Sequence, residues 1–364
     1  MIFSPLTIKR FRSFRRIRRA WWSLIGFGVI FVFCMLADVV CPCDPRAVVD
    51  PATLEKYRQP VVEYSYEIKN ARWNEMPDGS INSFEGPEGF DFGNLADYDV
   101  RRTQKDGYVR VYCESKTPPK RTERVLPAPE ISFPFRPCKE HPFGIDAGGR
   151  DVYARVVHGM RIALLFGLVL AFWAMFTGLV IGAVEGYFGG ITDIVCQRFT
   201  EIWCSIPFLY VMIFIGSTMG RSFTILLVCY AIFNWIGVSY YMRAEFLRLR
   251  SRTFVEAAKV QGFSAARIIF GHILPNALTP LITLFPFLLM GAIGSLAALD
   301  FLGFGLPPMT PSCGELMNQA QQFRWAWWLI LFPALALFIV MLLTVLIGEG
   351  LRDAFDPRQK SKLE

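Results

Sequence analysis

Six stretches of this chain run for about twenty residues with almost no charge, the length an α-helix needs to cross the hydrocarbon core of a bilayer. They cover residues 21–40, 162–184, 202–219, 223–242, 277–299 and 325–348. The spans of an outer-membrane-type barrel would be half as long and would alternate apolar with polar residues. These runs do neither. Composition agrees: the chain is 53% hydrophobic and 19% charged, against about 25% charge in a soluble domain. The net charge of +7 does not indicate nucleic acid, because the basic residues flank the apolar runs as membrane topology requires. The chain is predicted to be an all-α integral membrane protein of six helices.

Charge sets its expected orientation. Residues 1–20 carry Lys9, Arg10, Arg12, Arg15, Arg16, Arg18 and Arg19 with no acid, so this end is expected in the cytoplasm. Six crossings return the tail, with Arg352, Arg358, Lys360 and Lys362, to the same side. The basic loop between runs four and five falls inside as well. The first run is too long for a secretory signal and lacks a small-residue cleavage site, which makes it an uncleaved anchor. In the fifth run Pro280 and Pro286 free backbone groups that neighbouring helices must satisfy, so that helix should be packed in protein rather than bathed in lipid. The third run contains Pro207, which makes its start uncertain.

Residues 41–158 form a long polar loop on the outside, with 17 basic and 19 acidic residues. Val62, Tyr64, Tyr66 and Ile68 alternate with polar residues, as do Val109, Val111 and Cys113, which predicts short strands. Seven prolines between residues 117 and 142 predict an extended connector. The loop therefore reads as a partly β exported subdomain. Cys113 and Cys138 are free to pair in an oxidising compartment, and unpaired thiols fit equally well. The Cys41-Pro42-Cys43 spacing does not suit a metal site, and the three histidines form no ligand cluster.

The segment between runs four and five, residues 243–276, carries the functional argument. Residues 254–261 favour a helix, with Glu256 in an early turn where a carboxylate suits the helix dipole. Gly262 permits a left-handed turn, and Ser264 can cap a second short helix that opens with Ala265. The expected shape is helix, glycine turn, helix, lying flat under the bilayer, with Phe263 at the turn. The small Ala257 and Ala258 let another surface approach closely, so the shape suits a groove on a partner protein. An amphipathic linker resting on lipid is the simpler alternative.

Glu256-Ala257-Ala258, then Gly262, then Leu274-Pro275 resemble the EAA loop of ABC-importer permeases. His272-Ile273-Leu274-Pro275-Asn276 is similar to the form found in dipeptide and oligopeptide permeases, where other members carry an apolar residue in place of His272. Residues 141–152, 186–190 and 348–357 resemble further segments of that subgroup. Residues 300–307 and 243–248 are most similar to its Yej-type branch, whose members take up oligopeptides and microcin C. The resemblance implies a type I importer permease fold and a bacterial inner-membrane location with both termini cytoplasmic. Its parts would be a basic N-terminus (1–20), a first helix (21–40), the exported loop (41–158), a transmembrane domain (159–357) and a tail (358–364). It also implies that Glu256, Ala257, Ala258, Gly262, Phe263, Ser264 and Ala265 couple to a separate ATPase subunit. The further partners implied are a second homologous permease, an exported substrate-binding protein and a peptide substrate, with no nucleic acid.

No G-x-x-x-x-G-K-[ST] phosphate loop occurs, so ATP is expected to be used by the partner, with no cofactor held here and no enzymatic activity in this chain. Acids such as Asp38, Glu185, Asp193, Asp300 and Glu349 fall near the ends of runs, which weighs against a proton-coupled carrier. A rival reading is a membrane sensor or scaffold whose outer loop binds ligand and whose inner loop recruits a signalling partner. Gly178, Gly182 and Gly186, four apart, predict close helix packing. Trp325, Trp327 and Trp328 predict an interfacial belt. The glycines and prolines of 303–308 suggest either a re-entrant outer loop or an ordinary turn.

Overall fold

The computed structural model describes residues 12–57 and 131–355, apart from residues 42 and 308, together with the backbone of six strands between 61 and 126. The contacts divide the chain into two compact units, one of residues 1–49 with 133–364 and one of residues 50–132. Lys9, Arg10, the tail 358–364 and the side chain of Cys113 lie outside the described residues.

The first unit is a helical bundle. A helical turn at 12–16 leads into α1 (Arg18–Met35) and the short α2 (Ala37–Val40). The long α4 (Val152–Phe188) follows, after a short helix α3 (Pro51–Leu54) and the strands of the second unit. Next come α5 (Gly190–Cys204), α6 (Phe208–Thr218), α7 (Phe223–Phe233) and α8 (Ile236–Arg250). The remaining helices are α9 (Thr253–Val260), α10 (Ala265–Ile268), α11 (Leu274–Phe301), α12 (Cys313–Gln322) and α13 (Trp328–Phe355).

Five helical stretches are long and apolar enough to cross a membrane, and α5 with α6 forms a sixth, bent by 62°. The bend sits at Pro207, which ends one helix because it lacks an N–H and begins the next as its N-cap. The third apolar run is therefore not one straight helix: its first residues finish α5. Parity counts α5–α6 as a crossing. Arg19, at the start of α1, donates to Asp353, at the end of α13, at 3.0 Å, so the first span begins at the end of the bundle where the last one finishes. Only an even number of crossings allows that.

At α4 the helix extends well past its apolar run. Its 37 residues span about 55 Å, against about 30 Å of hydrocarbon. The added first turns carry Arg155, His158 and Arg161, which a hydropathy window rejects. The structure accommodates the fully buried Arg155 by pairing it with Asp146 at 3.0 Å and with Glu315. Asp146 also accepts the backbone N–H groups of Gly148 and Arg150, both at 2.8 Å, which holds the preceding turn.

Glycines set the closest helix contact. A Cβ at Gly178 would lie 2.8 Å from Val238 Cγ1, one at Gly182 2.6 Å from the Ser239 carbonyl, and one at Gly186 2.6 Å from that of Arg243. The stripe therefore lets α4 and α8 approach backbone to backbone, as the four-residue spacing predicts. The proline-bearing α11 packs against α4 and α13, with Pro286 buried.

The loop after α11 contains a helix that the apolar runs do not predict. Ser312 caps α12, accepting from the N–H groups of Gly314 and Glu315, while Cys313, Leu316 and Ala320 enter the main core. The Ser312-x-x-Glu315 spacing is a helix-start signal. Trp328 departs from the expected belt: it is 2% exposed and donates its indole N–H to the Ile145 carbonyl at 3.3 Å, whereas Trp325 and Trp327 are exposed.

The second unit contains a four-stranded antiparallel sheet in the order β4-β5-β1-β6 and a separate hairpin, β2-β3. Both alternating segments of the sequence are strands: β1 (Val61–Lys69) pairs with β5 (Tyr108–Cys113), Tyr66 opposite Val111 and Ile68 opposite Val109. The other members of the sheet are β4 (Asp99–Thr103) and β6 (Thr122–Leu126), and the hairpin joins β2 (Arg72–Glu75) to β3 (Ile81–Glu85). Cys138, in the first unit, is a free thiol.

Candidate functional site

The candidate site is the elbow between α8 and α11. It opens where α8 stops at Arg250 and Ser251, eight residues beyond the end of the fourth apolar run. Helix α9 then turns back as an amphipathic rod. Val255 (0% exposed) and Ala258 (3%) face the bundle, in a cluster with Phe246, Leu249, Ile268 and Ile273. Glu256, Ala257, Lys259 and Val260 face outward. Each buried apolar anchor contributes on the order of 1–3 kcal/mol, which seats the rod firmly.

Gly262 ends α9 in a left-handed conformation, φ 77°. Its N–H donates to the Lys259 carbonyl at 3.0 Å and that of Phe263 to the Ala258 carbonyl at 3.1 Å, the paired bonds of a Schellman C-cap. Ser264 then accepts from the Arg267 N–H and caps α10. This matches the helix, glycine turn and capped second helix expected from the sequence. The second helix is not separate, however. It runs from Ala265 through Phe301 as one 37-residue helical stretch, by way of a π-turn at Ile269–Ile273. Leu274 donates to the Ile269 carbonyl five residues back. Pro275 explains the π-turn: it has no N–H for the carbonyl four residues before it, so the backbone re-registers there. The second helix of the elbow is thus continuous with the fifth span, and α9 joins it through the Gly262 turn.

His272, the departure from the apolar residue of other loops, stacks on Phe263 with ring centroids 5.8 Å apart. The Arg267 guanidinium lies 5.0 Å from the same ring. Phe263 is thereby held inward at the corner. Of the seven residues singled out in the sequence, Glu256, Ala257, Gly262, Ser264 and Ala265 are exposed, Phe263 is half-buried, and Ala258 is packed against its own chain. Ala258 consequently offers no close approach to a second protein. The outer surface gains Val260 instead, 88% exposed, whose position opposite Ala258's face follows helical spacing. The Glu256 carboxylate has no side-chain partner among the described residues.

Residues 163–361 match the family described as binding-protein-dependent transport system inner membrane component. The chain belongs to this family. Two relatives match it nearly end to end. One is the inner membrane ABC transporter permease protein YejE of Escherichia coli, 35% identical over 98% of each chain. The other is the peptidoglycan transport system permease protein YejE of Agrobacterium fabrum, 33% identical over 98% of this chain and 94% of the relative. The dipeptide transport system permease protein DppC of Alkalihalophilus pseudofirmus is 38% identical over 62% of this chain and 74% of its own. As a family member, this chain is the multi-pass inner-membrane component of an ABC importer, and the elbow is its protruding feature between the fourth and fifth spans. Membership also removes the sensor reading: the chain is part of a transport system.

Proposed function

We propose that this chain is one of two permease subunits of a peptide importer, and that its elbow couples the pore to ATP hydrolysis on a separate subunit. The observation that carries this reading is the two-sided α9. One face is locked into the bundle by Val255 and Ala258, and the other presents unpaired Glu256 with Ala257 and Val260. A rod free on both faces would swivel, whereas one buried on both would have no surface for a motor. The substrate class rests on the relatives, whose names speak of dipeptide and peptidoglycan transport.

In this reading a binding protein delivers peptide to the outer face, and ATP binding draws the elbows of the two permeases together. The π-turn and α11 carry that movement into the fifth span. Nucleotide shifts the outward-open population only to the extent that it binds the two states with different affinity. Both termini lie in the cytoplasm, as the basic N-terminus requires. The test is a set of cysteine cross-links from Ala257→Cys and Val260→Cys in the assembled transporter, combined with peptide uptake into vesicles. Cross-links to the ATPase that change with nucleotide are expected. Their absence in a transporter that imports peptide would overturn the coupling role of α9.

A further inference from the structure

Away from the elbow's outer face, the same end of the bundle holds a cavity of about 480 Å³ between α8, α11 and α13. Each helix turns one face to it. Helix α8 contributes Glu245, Arg248 and Leu249, the start of α11 contributes Asn276, Thr279, Pro280 and Thr283, and the last turn of α13 contributes Arg352. The α11 residues follow the 3–4 spacing of a single stripe. Asn276 donates to the His272 carbonyl at 2.8 Å and Thr283 to the Pro280 carbonyl at 2.7 Å, so these side chains are satisfied by their own helix and the charged groups set what the cavity takes.

Charge identifies the class of that ligand. Two guanidinium groups and one carboxylate line the cavity, and the carboxylate is already taken, since Arg248 pairs with Glu245. Arg352 has no hydrogen-bond or ion-pair partner among the described residues. The nearby acids do not neutralise it: Asp353 and Glu349 turn to Arg19 of the first helix, at 3.0 and 3.8 Å. The cavity thus keeps an uncompensated cation at the inner end of three spans, where lipid headgroups lie. We infer that it binds the phosphodiester headgroup of an anionic phospholipid, with Arg352 as its principal ligand and Arg248 as the second. A basic pocket between helix ends on the cytoplasmic side suits such a headgroup, and a guanidinium matches phosphate geometry. The inference uses the orientation proposed above but not the peptide substrate.

The test uses the complete transporter, with both permeases and the ATPase, in nanodiscs of phosphatidylethanolamine with and without phosphatidylglycerol. Native mass spectrometry after mild extraction reads the retained lipid. Wild type is expected to keep phosphatidylglycerol, and Arg352→Gln to lose it by about tenfold or more, as for a charge-assisted hydrogen bond removed. Arg352→Lys should fall between them, and the paired variant Thr279→Val/Thr283→Val reports the cavity without touching a charge. Equal retention by wild type and Arg352→Gln overturns the assignment. So does an Arg352→Gln defect in KM confined to peptides with a free C-terminal carboxylate, which would make the cavity a cargo subsite. Failure of peptide uptake by wild type would overturn the proposed substrate and leave the lipid measurement standing.

Discussion

Arg19 and Asp353 are joined at 3.0 Å although 334 residues separate them, so the beginning of the first span and the end of the last share one side of the membrane. The pair itself contributes little. Arg19 is 57% exposed, and ion pairs of that kind are worth at most about 1 kcal/mol. Packing holds the two ends together: Phe14 and Ala20 are buried with Ile347 and Ala354, and Gly350 leaves no room for a Cβ against Ala20.

Arg19→Ala should accordingly leave thermal unfolding in detergent nearly unchanged, whereas Gly350→Val should lower it clearly, by the 1–3 kcal/mol typical of overpacking. Cysteines placed at Arg19 and Asp353 should label with an impermeant maleimide from the same side. Labelling from opposite sides would contradict the six-span arrangement.

Gly262 distinguishes a backbone requirement from a steric one. There is open space where its Cβ would stand, so Gly262→Ala suffers only the left-handed φ, about 1–2 kcal/mol, and should retain part of its uptake. Gly262→Pro cannot adopt φ 77° and loses the N–H that donates to Lys259. It should insert normally and fail to transport. Uptake at the wild-type rate by inserted Gly262→Pro would show that the elbow's shape is irrelevant.

The fully buried pair of Asp146 and Arg155, with the half-buried Glu315, joins the start of α4 to α12. Truncating a buried ion pair leaves its partners uncompensated, so Arg155→Ala should cost about 3–5 kcal/mol. Arg155→Ala/Asp146→Ala should cost less than the sum of the two single changes, because neither member of the fully buried pair is then left facing an absent partner. Thermal unfolding of the four proteins of this double-mutant cycle measures the coupling. Strict additivity would mean the network carries no stability.

The native thiols give a reactivity map. Burial pushes the Cys313 thiol up to about 12, so at mildly alkaline pH it remains protonated and inaccessible in the folded protein. Cys43 is exposed. Maleimide applied to folded transporter should modify Cys43 and spare Cys313, and unfolding should equalise them. Peptide mapping reads both sites, and rapid modification of Cys313 in the folded state would place α12 outside the core.

How far residues speak for themselves depends on the range of the interaction. The apolar runs, the basic ends, the β alternation and the Gly262 turn were all legible in the sequence, because each follows from solvation or backbone sterics acting over a few neighbouring residues. Gly178, Gly182 and Gly186 likewise announced close packing by their spacing. Their partner, α8, was not announced, since nothing local encodes which helix lies alongside.

What only the tertiary structure decided depends on groups brought together from far apart. The first turns of α4 looked too charged to extend a span until Asp146 and Glu315 surrounded Arg155. Trp328 looked like a belt residue until the Ile145 carbonyl received its N–H. Ala258 looked like an open contact until α9 settled on Phe246 and Leu249. In each case a polar or small side chain has two acceptable environments, water or a matched partner, and only folding determines which one it meets.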